Sequence, residues 1–182
     1  YSVLSGPSHN TCFGGASGSM NIMGMGGDWS FSYLWSPGGQ TVSNPSDLIA
    51  GVHTVTITDG HGCIIILPAI TIFEPAQLQA NFTITHVSCN GANDGMINAA
   101  ATGGTGNIYY NWISPAAGAT SLVTGLGPNT YNLELTDDNS CFVSLFPVVN
   151  EPAVITANVT ATDVTCTGFM NGILVSNPSG GT

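Results

Sequence analysis

Five cysteines, four histidines and ten carboxylates are the side chains of this sequence with chemistry to offer. His9-x-x-Cys12 and His86-x-x-Cys89 have the separation of metal ligands. Asp163 holds the same place before Cys166, however, and the chain has no Cys-x-x-Cys pair, so a zinc centre is not indicated. Asn93-Asp94 and Asp137-Asp138 offer oxygen donors of the kind calcium takes. Ser17 and Gly60 stand where Asp94 and Asp138 would recur, which favours turn formation over a calcium site. There is no Gly-x-Ser-x-Gly elbow, and Gly24-Met25-Gly26-Gly27 is not followed by Lys-Ser/Thr, so neither a hydrolase nucleophile nor a phosphate loop is predicted. Lacking Lys and Arg, a site for an anionic substrate would also miss its usual stabilisers. The expectation is no catalysis, no cofactor and no metal.

The same residues read differently once their period is seen. Cys12, Cys89 and Cys166 recur every 77 residues, as do Trp35 and Trp112, Glu74-Pro75 and Glu151-Pro152, and Gly103-Gly104-Thr105 and Gly180-Gly181-Thr182. Gly26-Gly27 and Gly103-Gly104, and His9 and His86, share the offset, while Asp59/Asp137 and Cys63/Cys141 are one residue further apart. Internal repetition of this kind defines the architecture before any local element does. The copies are 1–77, 78–154 and 155–182, the last expected to be the N-terminal part of a third repeat. Glu-Pro-Ala marks each junction, and with no Gly/Ser linker between copies, beads joined stiffly in a rod are expected.

Composition narrows the class. A formal charge of −10 with no cation argues against nucleic acid and against attachment to anionic lipid. Charged residues are only 5% of the chain, too few for an acidic disordered tail, and no apolar run is long enough for membrane insertion. Leu78, Ala80, Phe82 and Ile84 alternate with polar residues, as do Tyr131, Leu133 and Leu135, giving the period of half-buried strands. Gly127-Pro128-Asn129 and Asp137-Asp138-Asn139 are turn chemistry. Six or seven short strands around one Trp per copy predict an all-β chain of tandem immunoglobulin-like β-sandwich modules, with Trp35 and Trp112 in the cores. Tyr131 reads as a corner anchor beside its Gly-Pro-Asn turn, and His53 as its structural substitute in the first copy.

Two cysteines per full copy suggest disulfides within each module, Cys12 with Cys63 and Cys89 with Cys141, in an oxidising compartment; buried free thiols are the alternative. Trp29 and Tyr109 each lie one position out of phase with an inward neighbour and are candidate contacts for surface polysaccharide. Edge strands without lysines leave lateral self-association open.

Cys89-Asn-Gly-Ala-Asn-Asp-Gly95, Thr102-Gly-Gly-Thr-Gly106, Tyr109-Tyr-Asn-Trp112, Leu126-Gly-Pro-Asn-Thr-Tyr131, Thr136-Asp-Asp-Asn-Ser-Cys141 and Glu151-Pro152 together resemble the SprB repeat. The first copy departs from it with Phe13-Gly14-Gly15 and with His53. The resemblance implies a filamentous adhesin of the bacterial cell surface, made of neighbouring repeats, exported by the type IX secretion system and, in gliding species, moved by the motility machinery. It carries no catalytic residues. Accessory or carbohydrate-binding modules of a secreted hydrolase are the alternative.

Overall fold

A computed structural model of the chain describes residues 2–26, 29–114 and 118–182; Gly27 of the repeated Gly-Gly pair lies outside them. The first copy contributes β1 (Ser2–Ser8), β2 (Ser19–Met23), β3 (Phe31–Ser36), β4 (Gly51–Asp59), β5 (Ile64–Ile66) and β6 (Ile70–Ile72). Strand β4 alternates inward His53, Val55 and Ile57 with less buried threonines, so one face of it must be covered. Antiparallel β3 sets Trp35 opposite Val55, while β5 and β6 follow one another along β4, pairing with Thr56–Thr58 and Gly51–His53. The β1–β2 ribbon supplies the opposing layer. Met20 and Ile22 of β2 pack with Trp35, Leu48, Val55, Ile57, Leu67 and Ile72 in one buried cluster between the layers. Burying each such side chain is worth about 1.5–3 kcal/mol, which is what holds two short sheets face to face.

The second copy repeats the scheme with β7 (Gln79–Thr85), β8 (Gly95–Thr102), β9 (Ile108–Ser114), β10 (Leu122–Leu126), β11 (Asn129–Thr130), β12 (Asn132–Asp137), β13 (Phe142–Leu145) and β14 (Val148–Val149). Its sheets run β10-β8-β7 and β13-β12-β9, with β11 paired to β14. Along β12, Leu133 and Leu135 are buried between half-buried Asn132, Glu134 and Thr136, the two-residue period of the sequence. The chain is thus an all-β protein of sandwich type.

In the third stretch β15 (Ala153–Thr156) pairs with β18 (Ser179–Gly181), and β16 (Val159–Thr162) with β17 (Ile173–Ser176). Leu174 holds the place of Met20 and Ile97 but is 77% exposed where they are 6% and 0%. The chain forms two compact units: residues 1–79 with 101–109 and 135–143, and residues 80–100 with 110–134 and 144–182.

Candidate functional site

A tight turn follows the first cysteine of every copy. The carbonyls of Cys12, Cys89 and Cys166 accept from the N–H of Gly15, Ala92 and Phe169 at 3.1, 3.0 and 3.1 Å. Gly14, Gly91 and Gly168 take φ of 69°, 77° and 87° in these turns, a conformation that favours glycine. The junction glutamate holds the turn: Glu74 Oε2 accepts from Gly14 N at 2.6 Å, and Glu151 Oε2 from Gly91 N at 2.8 Å. His9 Nδ1 accepts from Phe73 N and His86 Nδ1 from Asn150 N, at 3.3 and 3.1 Å. These histidines therefore brace the junction. Sequence reasoning missed the clamp, although its signal was available: Gly14 and Glu74, like Gly91 and Glu151, are 60 residues apart.

The second cysteine of each copy sits in a different device. Asp59 Oδ1 accepts from His61 N and Cys63 N at 3.0 and 2.8 Å; Asp137 Oδ1 accepts from Asn139 N and Cys141 N at 2.9 and 2.9 Å. Each is a carboxylate-centred turn that presents its cysteine at the end of a strand.

The disulfide joins one device to the other. Cys12 bonds Cys141, with Cα atoms 5.6 Å apart, while Cys63, Cys89 and Cys166 are free and exposed. This corrects both parts of the sequence expectation: neither Cys12–Cys63 nor Cys89–Cys141 forms, and the remaining thiols are not buried. The reason for the first copy lies in β4. Asn10 and Gly14, on either side of Cys12, bond Phe73 and Glu74, next to the pairing of Gly51 with Ile72, whereas Cys63 closes on Asp59 at the other end of that strand. Eight residues of strand separate the two ends, roughly 27 Å, far beyond the reach of a disulfide.

Around Cys12–Cys141 lies a cavity of about 370 Å³. One wall is Cys12 with Pro75–Leu78 and Gly104; the other is Asp137 with Ser140–Val143. The second wall is seated by polar bonds: Asn139 Nδ2 donates to Thr11 O at 3.1 Å, and Asp137 Oδ2 accepts from Thr105 N at 2.8 Å. Gly104 N donates to Ala76 O at 2.8 Å, and a Cβ on Gly103, whose φ is 86°, would overlap the Gln77 carbonyl oxygen.

The other singled-out residues stand apart from this bond. Trp35 and Trp112 are buried, their Nε1 groups donating to Val42 O at 2.9 Å and Thr120 O at 3.0 Å. Tyr131 OH donates to Gly127 O at 2.8 Å, and His53 Nε2 makes the corresponding contact to Ile49 O at 2.9 Å. Burial raises the Tyr131 phenol above its ordinary value, against the Gly127 bond. Trp29 and Tyr109 are 72% and 56% exposed. Tyr109 OH donates to Asp138 Oδ1 at 2.9 Å, and that bond and the carboxylate charge hold its phenol above the usual range. An open groove of about 670 Å³ runs past Asn93, Leu122, Asn129 and Tyr131, and neither Trp29 nor Tyr109 lines it. Among the described residues, no three His, Cys, Asp or Glu side chains gather as metal ligands, and no helix is long and apolar enough to cross a membrane.

Three turn acids lie below the ordinary carboxylate value. Asp59 is held down first by the Cys63 N–H, Asp94 by the Ser88 side chain and N–H, and Asp138 by the Asn107 N–H and the Tyr109 hydroxyl. A depressed folded value contributes stability that is present above the unfolded value, about 4, and is lost as pH falls through the folded values. The thermal midpoint should therefore hold steady from neutral pH to about 5 and drop below about 4. Calorimetry across that range checks this, and a midpoint unchanged in strong acid would contradict it.

The fold and its cross-linked turns define an all-β tandem-repeat protein whose best-built site is structural. The model of the SprB repeat family matches residues 81–117, within the second copy. The family is a structural repeat and not a catalytic one. No curated protein matches the chain.

Proposed function

We propose that this chain is a stalk segment of a large, secreted adhesin of the bacterial cell surface, serving attachment or gliding motility and exported by the type IX secretion system. The SprB repeat in the second copy supports the family setting. The observation that carries the mechanical reading is the Cys12–Cys141 bond, which ties the cysteine loop of one repeat to the cysteine turn of the next. A pull along the chain passes through that bond and leaves the 129-residue separation it spans out of the path. At up to about 3.5 Å per extended residue, roughly 450 Å of chain is withheld from extension until the bond is reduced. The partners are then neighbouring repeats and the export and motility machinery, and the localisation is extracellular.

Immunogold electron microscopy of intact cells with an antibody to residues 78–154 tests the reading. Label along projecting filaments is the expected outcome. Antigen soluble in the medium and missing from cells would overturn it and favour accessory modules of a secreted hydrolase. The exposure of Trp29 and Tyr109 supports that second reading as a polysaccharide-binding surface. Glycan-array binding that is lost in Tyr109→Ala would establish it.

A further inference from the structure

The chain displays both halves of its own disulfide joint a second time, unjoined. The cavity at Cys89, about 450 Å³, is walled by Cys89, Pro152–Ile155 and Gly181, each 77 residues on from the receiving wall at Cys12. The likeness extends to the backbone. Ala153 pairs with Gly181 where Gly104 N donates to Ala76 O, and a Cβ on Gly180, φ 87°, would overlap the Val154 carbonyl oxygen as one on Gly103 would overlap that of Gln77. Glu151 and Gly91 clamp the Cys89 turn as Glu74 and Gly14 clamp that of Cys12. No counterpart of the Asp137–Val143 wall lines the Cys89 cavity, and Cys89 is exposed.

The missing piece has the shape of the Cys63 turn. Asp59 gathers the N–H groups of His61 and Cys63 as Asp137 gathers those of Asn139 and Cys141, and Asp59 N donates to Cys63 O at 3.0 Å as Asp137 N does to Cys141 O at 3.0 Å. Ile64 and Ile65 follow Cys63 where Phe142 and Val143, which line the Cys12–Cys141 cavity, follow Cys141, and Ile64 at 66% exposed resembles Phe142 at 73%. Apolar side chains at the wall positions of such a cavity thus stand beside a free thiol.

We propose that Cys89 is a receiving site for the cysteine turn of another module of this repeat, that Cys63 is such a turn, and that repeats are joined in series by bonds from the first cysteine of one to the second cysteine of the next. The inference rests on the two cavities and the two turns, independently of where the protein works. The chemistry balances with a disulfide oxidant such as glutathione disulfide. One protein thiolate displaces a glutathione thiolate from it to give a mixed disulfide. The second protein thiolate attacks the protein sulfur of that adduct and releases the other glutathione. Two thiols are oxidised to one disulfide and one glutathione disulfide is reduced to two thiols.

The test uses the 182-residue chain with Cys12–Cys141 intact, as an equal mixture of ¹⁴N- and ¹⁵N-labelled protein in a glutathione redox buffer. Cross-linked peptides are then identified by mass spectrometry. The expected result is isotopically mixed Cys63–Cys89 peptides as the main new bond, with a ladder of disulfide-linked multimers on non-reducing gels. Cys63→Ser should abolish the ladder although Cys89 and Cys166 remain. Failure to form the bond, predominance of Cys63–Cys63, Cys89–Cys89 or Cys63–Cys166, or a ladder that survives Cys63→Ser would each overturn the proposal. Circular dichroism of Cys63→Ser should match the parent chain, since that thiol is exposed; if it does not, Cys89→Ser gives the same reading from the other half of the joint.

Discussion

Trp35→Ala is expected to cost about 3–5 kcal/mol, the range for truncating a buried aromatic side chain to alanine. Trp35 is 1% exposed, faces Val55 across β3 and β4, and touches the cluster that holds the two layers of its sandwich together. The indole also spans to Val42 O through its Nε1–H, tying the loop after β3 to the core. A unit of about 100 residues has a total stability of roughly 5–15 kcal/mol, so one substitution removes about a fifth of it at the least. With a midpoint shift of about 4–8 °C per kcal/mol for a domain of this size, the transition should fall by roughly 12–40 °C. Thermal unfolding followed by circular dichroism measures it. A loss below about 1 kcal/mol, the level of an ordinary substitution, would show that the layers are held by something other than this core.

Breaking the Cys12–Cys141 bond should match that loss by a different route. The bond closes a separation of 129 residues, and in the chain-entropy model a loop of that size contributes about 5 kcal/mol by restricting the unfolded chain. Urea unfolding should show Cys12→Ser and Cys141→Ser equally destabilised, and the double variant no worse than either, because all three remove one interaction. Cys63→Ser and Cys89→Ser should leave the transition in place, since those thiols are exposed and unbonded. Destabilisation by Cys63→Ser equal to that by Cys12→Ser would restore the pairing within modules.

The contrast between these two results marks what can be read from residues alone. Strand β12 was legible because alternation of Leu133 and Leu135 with Asn132, Glu134 and Thr136 is a local property, and a strand with one apolar face must bury it. The repeat was legible because matching residues at one offset require no geometry. The SprB resemblance, drawn from residues 89–152, meets a family match at 81–117. The disulfide was not legible. Two cysteines per copy satisfy pairing within a copy as well as pairing between successive copies. Only the length of β4, which sets Cys12 and Cys63 at opposite ends, decides between them. The role of Glu74 and Glu151 was hidden for a similar reason: a carboxylate clamping a loop 60 residues earlier leaves no local pattern, only a repeated distance.

The cross-link also changes what it means to cut this chain. A backbone nick anywhere between Cys12 and Cys141 leaves both fragments covalently attached, because a second route through sulfur remains. With no Lys or Arg in the sequence, proteases of trypsin specificity have no bond to attack. Others that reach an exposed loop in that span would scar the polymer without severing it. Separating the segments on either side of that region takes two events of unlike chemistry, a hydrolysis and a reduction, and an environment rich in proteases but poor in reductants supplies only the first.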